Sequence, residues 1–272
     1  MVSPLHILVV GLGAAFFVGL LNHDARRAAF AITLAALAAM TLIAGSWAWA
    51  FLYGGATPFT ILTAGAPPPF AINLGVAAPE AVLVALVCTV GLLSALTMRD
   101  ALERFGHRAM AVFLVAVMAL VGIILTRDVF NLFVFFELIA IATGGLVLIS
   151  DDQRAVAAGF KYLVASQVVS IAMLIGIIFV YHATASLNLD DMIGGSIGPV
   201  DSGPALAFFL LFIALVIELK PFPVNGWALD VYQSAHPGFS ALFSAGSSTA
   251  ALWAVDKVIG IGGAPWLPMA AA

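Results

Sequence analysis

The sequence predicts an all-α polytopic membrane protein with about eight transmembrane helices. Three observations carry that prediction. Of 272 residues, 63% are hydrophobic and 9% charged, whereas soluble domains carry about 25% charged residues; too little polar surface remains to coat a soluble fold. The apolar residues fall into runs of about 17–24 residues, the length that crosses a hydrocarbon core. The polar breaks between the runs separate by sign of charge.

The first run, 4–21, superficially resembles a signal peptide. It lacks a basic leading segment, and Pro4 and His6 stand at its start, so it is read as a retained helix. Gly11 and Gly13 within it mean close helix packing at most. Arg26 and Arg27 precede the second run, 28–50. The connection 51–77 is uncharged and holds Pro58 and Pro67–Pro69, with Trp47, Trp49 and Tyr53 near its start. It reads as an outer loop with interfacial aromatic anchors. The third run, 78–97, contains the single cysteine, Cys88. That excludes an internal disulfide and a Cys-based metal site, and leaves a small buried hydrophobe.

Arg99, Arg104 and Arg108 separate the third run from the fourth, 109–126. Arg127 and Asp128 separate the fourth from the fifth, 129–149, and Arg154 precedes the sixth, 159–182. An acidic, Gly-rich loop, 183–203, with Asp190, Asp191 and Asp201, leads to the seventh run, 204–220; the eighth is 238–260. Six arginines in the odd-numbered breaks against Arg127 alone in the even ones put the odd loops in the cytoplasm and both termini on the other side of the cytoplasmic membrane. His6, His23, His107 and His182 lie near span ends and read as interfacial. The chain has no nucleotide-binding glycine loop, no nucleic-acid-binding patch and no low-complexity tract.

Buried charge carries the functional signal. Glu137 is the one ionisable residue in 129–149, about 12 Å from the helix end at ~1.5 Å per residue. A carboxylate there costs several kcal/mol unless paired, hydrated or protonated. Proton or ion conduction is the first function such a group suggests, and a carboxyl satisfied by a neighbouring helix is the plainer alternative. Lys161, about three residues into the sixth run, is a second candidate, unless its ammonium snorkels to the interface. Glu218 and Lys220 end the seventh run and are followed by Pro221 and Pro223, which break the helix. A broken helix within a membrane is tolerated where it is buried in protein or lines a wet cavity, and charge beside it is the usual architecture of an ion site. Asp256 and Lys257 read as an anchor at the outer end of the eighth run. In hydrocarbon a carboxyl favours its neutral form, and a nearby ammonium restores the carboxylate. A Glu/Lys pair on adjacent helices is therefore a proton-relay element.

Three segments resemble the antiporter-like membrane subunits of respiratory complex I (N/M/L-type), of Mrp cation/proton antiporters and of membrane-bound hydrogenases. Thr126-Arg-Asp-Val-Phe-Asn-Leu-Phe-Val-Phe-Phe-Glu137-Leu is similar to the family's fifth-helix motif, with Glu137 on its acidic residue. Ala157-Ala-Gly-Phe-Lys161-Tyr-Leu resembles the start of the sixth helix. Pro223-Val-Asn-Gly-Trp227-Ala-Leu-Asp230-Val-Tyr-Gln-Ser-Ala-His-Pro-Gly-Phe-Ser240-Ala-Leu keeps the family's spacing without a gap. The resemblance covers about 105–255. It implies a five-helix repeat with a broken seventh helix in residues 105–262, preceded by helices 1–3 in residues 1–100. It also implies a second repeat, so the expectation is a shortened half-subunit or a split one whose second repeat comes from another chain of a larger complex.

Three departures stand out. The family's broken-helix lysine aligns with Glu218, leaving Lys220 displaced by two residues. The family's eighth-helix lysine aligns with Ser248, and the histidine before the tryptophan becomes Asn225. The expected function is a proton- or cation-translocating subunit of a complex I-like, Mrp-like or hydrogenase-like assembly. The working residues would be Glu137, Lys161, Glu218 and Lys220, with Pro221, Pro223, Trp227 and Asp230 shaping the break. No cofactor or metal is expected, and any redox chemistry would belong to hydrophilic partner subunits. The expected partners are other membrane subunits and the lipid bilayer, with no nucleic acid. The alternatives are a non-conducting structural subunit, or energy coupling for uptake of a solute such as inorganic carbon.

Overall fold

A computed structural model describes residues 1–66, 71–150, 153–194 and 202–262. Pro67–Pro69 and Asp201 lie outside the described residues. Helices dominate. Helix α1 (Pro4–Gly19) starts on Ser3, whose hydroxyl accepts from Leu5 N at 3.4 Å, with proline in its first turn, as helix N-termini favour. Helix α2 is Arg26–Tyr53 and α3 is Ala78–Thr97. A short α4 (Arg99–Phe105) turns through Gly106, at φ +84°, into α5 (His107–Leu125). Helix α6 (Val129–Val147) is capped by Asp128, whose carboxylate accepts from Asn131 N at 2.7 Å. There follow α7 (Gln153–Thr184), α8 (Leu189–Gly194), α9 (Ser202–Glu218), α10 (Gly226–Ser234), α11 (Pro237–Ala241) and α12 (Ser248–Gly262). Between α11 and α12 the backbone winds as a π-helix over Leu242–Ser247.

The eight apolar runs correspond to α1, α2, α3, α5, α6, α7, α9 and the continuous α11–π–α12 segment. Five of these (α2, α3, α5, α6 and α7) are long and apolar enough to cross a membrane, and α1 and the 206–218 part of α9 are shorter apolar helices. Helix α5 is the hub. It packs on α1, α2, α3, α6 and α12, and 72% of its most apolar window is buried, against 28% for α7. Helix α7 packs on α6, α9 and α10 and leaves one face outward. Gly176 lets α9 close on α7: a Cβ there would stand 2.8 Å from the backbone nitrogen of Leu211, the close backbone approach that small residues permit in membrane bundles.

Two local features differ from the sequence expectation. The 51–77 connection contains an antiparallel hairpin, β1 (Phe59–Leu62) with β2 (Asn73–Val76), pairing Phe59 with Val76 and Leu62 with Asn73. It forms because β2 is buried throughout and bonds the α5–α6 turn, through Arg127 N to Asn73 O at 3.0 Å and a bridge from Leu74 to Thr126. Helix α7 also begins at Gln153, so Lys161 lies eight residues into it.

Candidate functional site

Glu137 lies midway along helix α6, half-buried, on the side facing α7. Gly122 on α5 leaves the space that the Phe135 ring fills, and this seats α6 against the hub. Glu137 Oε2 accepts from Gln167 Nε2 of α7 at 3.1 Å. The other carboxyl oxygen, Oε1, is buried and has no protein hydrogen-bond partner among the described residues.

Glu218 is the last residue of α9. One further turn closes, with Lys220 N donating to Ile217 O at 2.9 Å, and Lys220 then adopts φ +59°. That left-handed cap position favours glycine. A lysine stands there with its ammonium anchored. Lys220 Nζ donates to Glu218 O and to Ser247 Oγ, each at 3.3 Å, and lies 4.3 Å from the centre of the Phe243 ring. Such a contact favours a cation. Pro221 and Pro223 supply no N–H, and helix resumes only at Gly226. The Glu218 carboxyl is within electrostatic reach of both Lys220 and Glu137, and the buried Tyr162 phenol is within reach of both glutamates. Glu218 and Lys220 thus stand together at the break, with Glu137 on α6 within electrostatic reach of Glu218.

Lys161 is placed apart from it. Its Nζ pairs with Asp230 Oδ2 of α10 at 2.8 Å, and its side chain is 63% exposed. The neighbouring Tyr162 points inward, where its ring meets Trp227 at 5.4 Å and Phe243 at 5.7 Å. Tyr232 meets Phe243 at 5.4 Å. This aromatic floor ties α7, α10 and the π segment together beneath the break. Trp227 stands in that layer, Asp230 pairs with Lys161, and Pro221 and Pro223 lie in the stretch between α9 and α10.

A second polar cluster lies at the end where the hairpin, the α5–α6 turn and the loop after α7 meet. Arg127 Nη2 contacts Asp190 Oδ1 at 2.6 Å, and its Nη1 lies 3.6 Å from Glu80 Oε1. Asn73 Nδ2 donates to Asp190 Oδ2 at 3.2 Å and Asn188 Nδ2 to Asn73 Oδ1 at 2.5 Å. Burial pushes the Asp128 carboxyl up, partly offset by the backbone N–H groups of Asn131 and Phe130. Lys257 corrects an expectation. It is no interfacial anchor: it is buried, and its Nζ donates to the carbonyls of Ile123, Ile124 and Thr126 at 3.2, 2.5 and 2.8 Å. The last carbonyls of a helix lack intrahelical partners, and at the end of α5 an ammonium from α12 supplies the donors.

Sequence reasoning did not single out Gln167, Ser247 or Phe243. An uncharged side chain in an apolar helix gives little signal until its partner is known. Among the described residues no group of three or more His, Cys, Asp or Glu side chains is placed to hold a metal ion.

Long apolar helices, a helix broken at paired prolines and charge gathered at the break define an integral, multi-pass membrane protein of the antiporter-like class. The chain belongs to the NADH:quinone oxidoreductase/Mrp antiporter transmembrane family, which matches residues 126–261. It is 31% identical over 173 residues to a Na(+)/H(+) antiporter subunit of Bacillus subtilis, covering 62% of this chain and 34% of that one. It is 29% identical over 151 residues to NADH-quinone oxidoreductase subunit N of Desulforudis audaxviator, covering 55% and 30%. The matched segment spans about a third of these curated relatives. Among solved structures, a chain of the membrane-bound sulfane sulfur reductase, an archaeal respiratory membrane complex, superposes with TM-score 0.87 at 27% identity, covering 98% of this chain and 55% of that one. A chain of the Mrp complex from Dietzia sp. superposes with TM-score 0.83 at 22% identity, covering 93% and 48%, a likeness of fold.

Proposed function

We propose that this chain is a proton- or cation-translocating subunit of a larger membrane assembly, with residues 105–262 as the translocating unit and Glu137 as its central carboxyl. One observation carries the reading: Glu218 and the buried Lys220 stand together at a broken helix, with Glu137 on α6 within electrostatic reach. A charge moving between such groups changes the protonation preference of its neighbours, and the break supplies free backbone dipoles beside it. Lys220, at the end of the broken helix, takes the cationic role that the family alignment gives to the position of Glu218. Lys161, paired with Asp230, acts at one edge of the site and tunes it.

The arginine-rich end faces the cytoplasm of the cell membrane. Membrane partners cover the outer face of α7, where Gln167 and Lys161 are exposed, because polar side chains facing hydrocarbon cost free energy. Any redox chemistry belongs to hydrophilic partner subunits. A second reading, a non-conducting structural subunit, is favoured by Ser248, a neutral residue at the place of a family lysine.

The test is to purify the native assembly in mild detergent, identify its chains and reconstitute it in vesicles. Internal pH and radioactive sodium uptake are followed while the assembly is driven. Flux of either ion supports translocation. An intact assembly, active with its donor or gradient yet moving neither ion, favours the structural reading.

A further inference from the structure

The Glu137–Gln167 bond lies near the middle of α7, fourteen residues from Gln153 and seventeen from Thr184. Packing does not explain an amide at this depth. Gln167 is exposed on the outer side of α7, and its exposed neighbours Val164, Val168 and Ile171 are apolar. An unbonded amide in hydrocarbon costs free energy, so the bond to Glu137 is what this side chain is suited to make.

We infer that Gln167 is a positioning residue that decides which oxygen of Glu137 carries the proton; this rests on the reading of Glu137 as the translocating carboxyl. The Gln167 amide donates to Oε2 at 3.1 Å. A carboxylate oxygen and the carbonyl oxygen of a carboxylic acid both accept such a bond, so it persists in either charge state. With Oε2 held as the acceptor, the proton is loaded and released at Oε1, the buried oxygen without a protein partner. That carboxyl is the one within electrostatic reach of Glu218 and Tyr162. Gln167 itself gains and loses no proton. A lysine in its place would hold Glu137 as a carboxylate by charge, and an acidic residue would compete for the proton. A neutral donor does neither.

The experiment compares the parent, Gln167→Met and Gln167→Lys in the intact membrane assembly. The infrared carboxyl band of Glu137 is identified as the one lost in Glu137→Gln. Methionine is close to glutamine in length and volume, so it fits without repacking. The expected result is a shifted Glu137 band and about fivefold slower translocation in Gln167→Met, the loss that one net hydrogen bond of typical strength predicts. Gln167→Lys keeps a donor but shows a carboxylate band throughout and no translocation. An unchanged band and rate in Gln167→Met overturns the inference, and so does a lysine variant that translocates at the parent's rate. Should Glu137→Gln itself translocate normally, the translocation reading fails, while the band of Gln167→Met still decides the contact.

Discussion

The ammonium of Lys220 and the hydroxyl of Ser247 are 3.3 Å apart, and this bond joins the broken end of α9 to the π segment of the eighth span. Both partners sit at backbone irregularities: Lys220 at φ +59°, Ser247 at the end of the π turn. π turns recur at functional sites. The charge at the break is therefore held by a neighbouring helix as well as by its own.

Removing this ammonium is expected to affect function more than folding. Lys220→Gly relieves the left-handed backbone, a strain of about 1–2 kcal/mol, and Lys220→Met keeps it. The glycine variant should therefore melt at the same temperature as the methionine variant or higher, while both translocate at least about tenfold more slowly. Ser247→Ala should slow translocation less. Adding it to Lys220→Met should cost nothing more, because the two share one interaction. Thermal melts and vesicle flux measurements check both points.

Lys257→Met should have the opposite profile. It leaves the carbonyls of Ile123, Ile124 and Thr126 without their donor in a buried site. Unpaired buried groups cost about 1–3 kcal/mol each before relaxation, so the variant should lose several degrees of melting temperature in detergent. A melt equal to the parent's would show that the carbonyls find other donors.

The Lys161–Asp230 pair is half open to its surroundings, and pairs exposed to water contribute about 0–1 kcal/mol. Lys161→Gln and Asp230→Asn should each leave the fold intact. If the pair tunes the site through its joint charge, Lys161→Asp combined with Asp230→Lys should recover the flux that either reversal alone removes. Three flux measurements decide it.

The approach of α7 to α9 sets the spacing of the whole site. Gly176→Ala brings a Cβ to 2.8 Å from Leu211 N and 3.1 Å from Ala207 O, both backbone atoms that move only with their helix. Overpacking of this kind costs about 1–3 kcal/mol. Gly13→Ala, with nothing within 4 Å, is the control. Melting temperatures should fall for the first and hold for the second.

How much of this is legible in the sequence depends on charge and distance. Glu137 and the Glu218–Lys220 pair before Pro221 stand out because any ionisable group in an apolar run is costly, so the sequence alone locates them. The spans follow from run length. Gln167 carries no charge, and its meaning depends on Glu137, thirty residues away. Lys257 reads as an anchor because position along a helix gives depth, whereas burial depends on the end of α5 that meets it. Lys161 lies on the same helix as Tyr162, yet about 100° of helical rotation sends one outward to Asp230 and the other into the core. Only packing reveals which. The hairpin is hidden because four-residue strands give little periodic signal, and β2 holds an asparagine and a glycine.

The most direct test of the central claim is ion flux by the intact assembly carrying Glu137→Gln, in vesicles, with assembly verified by chain composition. Glutamine keeps the size and the capacity to hydrogen-bond with Gln167 but cannot take up or release a proton. The account predicts an assembled complex whose flux falls to the level of undriven vesicles. An assembled complex that translocates at the parent's rate contradicts it.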